Sequence, residues 1–288
     1  MRRGMGGHGS RRRDGVLSDE VAATGSVVRS MDGTPRLTYL PALDGLRGLA
    51  VAAVIAFHAG SLDGGFLGVD AFFVLSGFLI TSLLLVEHRN HHRVDLRGFW
   101  SRRARRLLPA LWLLLAAVSI SSLWWATASE AERLRGDAIA TVAYVANWHA
   151  IAAGQSYWAT YETPSPLAHT WSLAIEEQFY LLWPLLVLGA VALAFRRRVG
   201  LADAVLGLSV VGIIASLVAM LALYEPGADP SRVYFGTDTR ASAILLGAAF
   251  AAWLARGPTA PPNRTPWWSD ALALVGIGWL AFAWISFD

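Results

Sequence analysis

An arginine and a histidine share one face of the first apolar segment, where the imidazole of the histidine could accept a proton. Arg47 and His58 are eleven residues apart, which at 100° per residue is about 20° more than three helical turns. Both side chains therefore project from the same face, about 16 Å apart along the axis. Ionisable residues within a membrane span are costly and usually face an interior site, although a snorkelling arginine and an interfacial histidine are the structural alternative. Their shared face favours catalytic roles for both residues.

A polar block, HTWSLAIEEQFY at 169–180, begins another apolar run. His169 and Glu176 are seven residues apart and so fall within about 20° of one helix face. Adjacent carboxylates that enter an apolar helix are too costly to face lipid, and such a carboxylate is typical of proton transfer. A polar cluster that only ties helices together is the alternative. We predict catalytic roles for His169 and Glu176, supported by Trp171, Ser172, Glu177 and Tyr180.

Four arginines occur within five residues, immediately before a long apolar run. A basic cluster beside a span orients many membrane proteins, so its position alone is weak evidence for binding. Arginine also offers bidentate donors to phosphate oxygens, and a phosphate-bearing donor substrate would explain the density of positive charge. The sequence therefore predicts a phosphate clamp formed by Arg102, Arg103, Arg105 and Arg106.

Other polar residues lie near or within the apolar segments. Asp70 follows His58 closely enough to orient or charge its imidazole, and Arg240 is a candidate partner for the Glu176–Glu177 pair. The Ser76–Gly77 step favours close helix packing over a nucleophilic role. No metal-ligand spacing, Walker A loop or GxSxG motif occurs, and the absence of Cys excludes thiol chemistry.

The composition predicts that membrane-spanning helices position these residues. Hydrophobic residues make up 55% of the 288-residue chain and charged residues only 16%. The mean hydropathy is +0.45, which argues against an ordinary water-soluble enzyme. Because a span needs about 20 apolar residues, the sequence predicts an all-α, polytopic transmembrane bundle. Its seven spans are expected at 43–62, 66–86, 107–127, 171–195, 201–224, 238–256 and 267–287.

The distribution of arginine predicts how the bundle is oriented. Positive residues collect on the cytoplasmic side of spans, and residues 1–40 are basic and polar, without the apolar core of a signal peptide. If the short apolar segment 138–153 does not cross the membrane, nineteen arginines lie on the cytoplasmic side and three on the external side. If it does cross, fifteen arginines lie on the cytoplasmic side and seven on the external side, so the first arrangement agrees better with the rule. We therefore expect a disordered cytoplasmic tail at 1–40, a membrane domain at 41–288 and an external loop at 128–170.

Several of these residues belong to longer motifs that occur in a fixed order. Arg47 and His58 fit the pattern R-x10-H, and GFLGVDAFFVLSGFLIT at 65–81, FWSRRARRLLP at 99–109, HTWSLAIEEQFY at 169–180 and Thr239-Arg240 follow. Together they resemble the acyltransferase-3 family of bacterial inner-membrane O-acyltransferases. The resemblance implies a membrane domain of about ten helices, so a chain with seven spans is expected to be truncated at its C terminus.

The resemblance implies an enzyme that moves an acyl group, usually acetyl, from cytoplasmic acyl-CoA to a hydroxyl of a carbohydrate or other cell-envelope acceptor. By matching position, Arg47, His58, Glu176 and the arginine cluster carry this activity, and Glu176 ranks above Glu177. We expect acyl-CoA as a donor substrate, no permanently bound cofactor, no metal and no nucleic-acid partner. We expect a multi-pass protein of the bacterial cytoplasmic membrane that contacts the lipid bilayer. Its N terminus is expected on the cytoplasmic side.

The expected mechanism links the basic cluster to the histidine. The phosphates of CoA dock on the four clustered arginines, and the thioester arm extends along the Arg47–His58 face. His58, assisted by Asp70 or Glu176, then deprotonates the acceptor hydroxyl or relays the acyl group, so direct transfer and an acyl-enzyme both stay open. A transporter or flippase that uses the intramembrane His, Glu and Arg residues as a path is the alternative, although no inverted repeat is evident.

Overall fold

The computed structural model describes residues 41–158, 165–257 and 267–286. The tail predicted at 1–40 lies outside the described residues, as does part of the loop predicted at 128–170. Within the described ranges the chain forms ten helices and one short 3-10 turn, with no strand. The predicted all-α fold class is therefore confirmed.

Each predicted span corresponds to one helix. The bounds are α1 (Pro41–His58), the turn Asp63–Leu67, α2 (Gly68–His91), α3 (Leu96–Trp125), α4 (Ala128–Val142), α5 (Ala146–Ala152), α6 (Thr170–Arg197), α7 (Leu201–Leu223), α8 (Ser231–Phe235), α9 (Thr237–Ala255) and α10 (Trp267–Ser286). Five of these helices are long and apolar enough to cross a membrane: α1, α2 with its preceding turn, α3, α6 and α7. The helix at the sixth predicted span, α9, has 19 residues and starts with the polar sequence TDTR, and α10 has 20 residues.

The short apolar segment 138–153 is broken into two helices. Tyr144 adopts a left-handed φ of 54° between the end of α4 and the start of α5. α4 has 15 residues and α5 has seven, whereas a span needs about 20. Neither helix is therefore long enough to cross a bilayer, and the external position of this region stays a prediction.

The third long helix, α3, begins earlier in the sequence than the span predicted at 107–127. The expected start was residue 107, but α3 starts at Leu96, where the Asp95 carboxylate accepts a 3.0 Å hydrogen bond from the backbone N–H of Gly98. An acidic N-cap of this kind satisfies one of the unpaired N–H groups at the start of a helix. The arginine cluster consequently lies within α3, and its members project from different faces.

The centre of the bundle depends on glycines between α2 and α9. A Cβ atom built on Gly77 would lie 1.8 Å from the carbonyl oxygen of Ile244, and one on Gly247 would lie 1.9 Å from that of Val74. Only glycine permits backbones to approach this closely. α9 thus packs directly between α2 and α7, and Gly77 has the packing role predicted for it.

The outward-facing surface of the long helices is apolar. Leu113 and Trp124 on α3 are 72% and 78% exposed, Phe195 on α6 is 88% exposed and Leu221 on α7 is 74% exposed. Extended apolar surface of this kind is rare on monomeric soluble proteins. Contact with lipid acyl chains would remove it from water.

Candidate active site

A pocket of about 600 Å³ opens where α1 ends and α6 begins. His58 and His169, predicted separately from the sequence, line this pocket together. Its walls combine aromatic side chains with a few polar groups, a composition typical of ligand sites. The aromatic residues are Phe57, Trp125, Tyr157, Trp171 and Phe235, and the other polar residues include Glu130, Arg133, Asp137 and Ser172.

The last turn of α1 holds His58 in one tautomer. Its Nδ1 atom lies 2.8 Å from the carbonyl oxygen of Val54, four residues earlier. Because a carbonyl oxygen can only accept, Nδ1 carries the proton of the neutral imidazole and Nε2 keeps a free lone pair. His58 is exposed at the pocket, so Nε2 is available as a general base.

His169 also lines the pocket and comes immediately before α6. Partial desolvation lowers the pKa of its imidazole; a hydrogen bond to the Pro166 carbonyl opposes this shift, and the nearby His58 adds to it. Its pKa therefore lies below the ordinary value, and His169 is neutral near pH 7. The structure thus places two imidazoles on one pocket, a pairing that their separation in sequence did not predict.

Beneath the pocket, Glu176 faces α2. Ser76 on α2 donates a 2.7 Å hydrogen bond to Glu176 Oε1. Ser172 lines the pocket, and Glu176 follows one turn later on the same face, about 6 Å along the axis. The structure therefore brings Glu176 to Ser76 below the pocket, whereas Arg47, half-buried on α1, forms no hydrogen bond or ion pair with Glu176.

Glu177 points in a different direction and binds α3. Arg103 Nε donates to Glu177 Oε1 at 2.8 Å, and the two side chains are only 19% and 12% exposed. The Arg103 guanidinium carbon also lies 3.3 Å from the centroid of the Tyr180 ring. Trp100 Nε1 donates a 3.0 Å hydrogen bond to the Tyr180 carbonyl oxygen. Glu177 and Tyr180 therefore position α3 against α6.

The predicted phosphate clamp is divided by this ion pair. Arg102, Arg105 and Arg106 are exposed, whereas Arg103 turns inward to Glu177. The division follows from the helix, because neighbouring side chains point about 100° apart. Only the three exposed arginines keep the accessibility that a phosphate clamp requires.

Asp70 and Arg240 pair with each other, which corrects two expectations. Arg240 Nη1 donates to Asp70 Oδ1 at 2.8 Å, and its Nε donates to the Tyr234 carbonyl oxygen at 3.1 Å. Arg240 therefore does not pair with Glu176 or Glu177, and the ion pair of Asp70 is with Arg240 rather than with His58. The direct packing of α2 on α9 brings the two residues together across the interface.

The region that contains these residues matches the model of a protein family. A family model described as "Acyltransferase domain" matches residues 40–286. The chain belongs to this acyltransferase family. The match includes every candidate residue named above, from Arg47 to Arg240.

Three relatives with similar sequences carry acetyltransferase names. The chain is 49% identical to "Putative peptidoglycan O-acetyltransferase YrhL" of Bacillus subtilis over 219 residues, 74% of this chain and 33% of the relative. It is 48% identical to "Peptidoglycan O-acetyltransferase OatA" of Listeria monocytogenes over 215 residues, 74% of this chain and 34% of the relative. It is 44% identical to a "Putative O-acetyltransferase" of Staphylococcus aureus over 218 residues, 75% of this chain and 35% of the relative.

The chain spans about a third of the length of these relatives. No solved structure matches it significantly. The apolar helices, together with the named relatives, identify a multi-pass membrane protein.

Within the acyltransferase domain, a polar network that the sequence did not predict connects α5, α6 and α9. Gln178 Nε2 donates to the Tyr144 carbonyl oxygen at 2.8 Å and to Asn147 Oδ1 at 3.0 Å. Asn147, which is fully buried, donates to the Phe235 carbonyl oxygen at 3.0 Å and to Thr237 Oγ1 at 2.9 Å. Thr237 Oγ1 in turn donates to Gln178 Oε1 at 2.6 Å. Asn147 stands alone as an amide side chain within the apolar segment 138–153. Because a buried amide needs hydrogen-bond partners, its presence there was the signal from which such a network could have been predicted.

Proposed function

We propose that this chain is the acyl-transferring domain of a membrane-bound O-acetyltransferase that modifies a hydroxyl of a cell-wall carbohydrate. The observation that carries the proposal is the pocket in which His58 offers Nε2 beside the neutral His169. The family supports acyl transfer, and the names of the relatives support acetyl as the group and peptidoglycan as the acceptor. The donor we propose is acetyl-CoA.

In direct transfer, His58 acts as the general base. The acceptor hydroxyl gives its proton to Nε2 as its oxygen forms a bond to the thioester carbonyl carbon. The C–S bond then breaks, and the CoA thiolate takes the proton from the imidazolium, which leaves an acetyl ester and free CoA. The hydrogen bond from Nδ1 to Val54 keeps the ring oriented throughout, as the third member of a catalytic triad does.

The donor enters from the end of α3 that carries the exposed arginines. Arg102, Arg105 and Arg106 can hold the phosphates of CoA as bidentate donors, whereas Arg103 keeps its structural bond to Glu177. We place this end at the cytoplasmic face of the bacterial inner membrane, with the N terminus on the same side. The excess of arginine in these segments supports that orientation.

Acetyl transfer in membranes tests the histidine assignment. Membranes that contain the protein receive radiolabelled acetyl-CoA and peptidoglycan fragments, and the label in the fragments is measured. His58→Ala should abolish transfer while its abundance in the membrane fraction is unchanged. His91→Ala is the matched control, because His91 is exposed in the last turn of α2, and it should keep transfer. Near-normal transfer by His58→Ala would exclude His58 as the base.

The donor site has a separate test. Neutralisation of Arg102, Arg105 and Arg106 with glutamine should raise the KM for acetyl-CoA and leave kcat little changed, because these side chains bind the donor and do not touch the acetyl group. Arg135→Gln is the control, since Arg135 is an exposed arginine of α4. An unchanged KM in the triple variant would rule out the clamp.

A further inference from the structure

A second concave surface, the α6–α7 groove, lies where α6 ends and α7 begins. It encloses about 830 Å³ and includes one side chain of α2. The residues that give it its chemistry are His88, Val191, Phe195, Arg196, Arg198 and Val199. None of them belongs to the candidate active site.

The groove combines two cations with a polar atom that lacks a partner. Arg196 and Arg198 are both exposed, and no ion pair found in the described part of the chain uses either of them. The Nδ1 atom of His88 is buried and has no hydrogen-bond partner among the described residues. Two arginines and a histidine with an unpartnered ring nitrogen therefore line one space, and no acidic residue of the described chain lines it.

The remaining walls of the groove are apolar and continuous with the outer surface of the bundle. Phe195 is 88% exposed and Val199 is 48% exposed, and Val191 lies one turn before Phe195 on α6. A ligand that contacts both the basic and the apolar walls of the groove needs a negatively charged group beside the arginines and a hydrocarbon chain beside Phe195. The phosphate and the acyl chain of a phospholipid meet these two requirements, whereas a free phosphate would not contact the apolar wall.

We propose that the α6–α7 groove binds the headgroup of an anionic phospholipid. Arg196 and Arg198 hold the phosphate oxygens as bidentate donors, His88 hydrogen-bonds the headgroup, and an acyl chain lies along Val191 and Phe195. Basic pockets between helices at the membrane surface are suited to such lipids, and each arginine there contributes about 1 kcal/mol, or about fivefold in affinity.

The test compares three consecutive arginines that carry the same charge, of which two line the groove and one does not. The purified protein is titrated with phosphatidylglycerol, and with phosphatidylcholine as the neutral lipid, and bound lipid is measured by native mass spectrometry. Arg196→Gln and Arg198→Gln should each weaken phosphatidylglycerol binding about fivefold. Arg197→Gln is the matched control, because Arg197 is exposed but does not line the groove, and it should change binding less than twofold.

Three results would overturn the proposal. An equal loss in Arg197→Gln would show general attraction to a basic helix end, and equal binding of both lipids would show that charge is not recognised. Complete displacement of phosphatidylglycerol by inorganic phosphate or by CoA at comparable concentration would assign the groove to a soluble phosphate compound. Thermal unfolding in phosphatidylcholine, which should be the same for all three variants, separates lost binding from lost folding.

Discussion

The ion pair between α3 and α6 offers a quantitative test of how the bundle is held together. Glu177→Gln keeps the size of the side chain but removes its charge. Arg103 would then remain as an uncompensated cation, since its Nε lies 2.8 Å from Glu177 Oε1 and its side chain is 19% exposed. Breaking a buried pair by removing one charge costs about 3–5 kcal/mol.

The expected loss lies at the lower end of that range. Both side chains keep some exposure, and Arg103 retains its contact with the face of the Tyr180 ring at 3.3 Å. A cation over an aromatic ring contributes about 0.5–2 kcal/mol, which Glu177→Gln does not remove. We therefore expect a decrease of about 3 kcal/mol in the free energy of unfolding.

The assay is unfolding by SDS in mixed micelles, followed by tryptophan fluorescence. Glu177→Gln, Arg103→Gln and the double variant form a double-mutant cycle, in which we expect a coupling energy of about 2 kcal/mol. Glu132→Gln is the control, because its pair with Arg135 is about 70% exposed on both sides and should contribute less than about 1 kcal/mol. Additive effects in the cycle, or a loss no larger than in Glu132→Gln, would refute the reasoning.

Three other perturbations test further contacts. Gly77→Ala should destabilise the bundle in the same titration, because its Cβ would lie 1.8 Å from the Ile244 carbonyl oxygen, whereas Gly45→Ala, with nothing within 4 Å, should be neutral. Asn147→Ala should reduce the free energy of unfolding by about 1–3 kcal/mol because buried partners lose their hydrogen bonds, and an unchanged value would contradict the network. Stability should fall as the pH drops through about 6.5, because desolvation lowers the pKa of His169 in the folded chain and the unfolded chain binds the proton first. Unfolding measured at pH 5.5 and 7.5 should show this difference, and His169→Gln should reduce it.

The helices could be predicted because each depends mainly on its own residues. A run of about 20 apolar residues identifies a spanning helix wherever it occurs, and the spacing of Arg47 and His58 assigns them to one face of α1 without knowledge of any neighbour. The start of α3 was missed for a related reason. Its first turns carry the arginine cluster and therefore have low hydropathy, although the Asp95 cap and the inward turn of Arg103 make them helical and packed.

The partners of charged residues could not be predicted, because they depend on which helices touch. Asp70 and Arg240 are 170 residues apart in sequence and meet only because α2 packs on α9. The same is true of Asn147 on α5, whose side-chain amide forms hydrogen bonds with Gln178 on α6 and with Thr237 at the start of α9. Spacing within one helix identifies a shared face, but it contains no information on what that face meets.

The adjacent carboxylates of α6 show how one dipeptide supplies two different functions. Because consecutive residues point about 100° apart, Glu177 reaches the cation on α3 while Glu176 reaches the neutral hydroxyl of Ser76 on α2. A carboxylate bound to a guanidinium is held in its charged form, whereas one bound to a serine can gain a proton without breaking an ion pair. Glu177 is therefore a positioning residue between two helices, whereas we propose that Glu176, one turn below Ser172 of the pocket wall, is the carboxylate that exchanges a proton with the pocket.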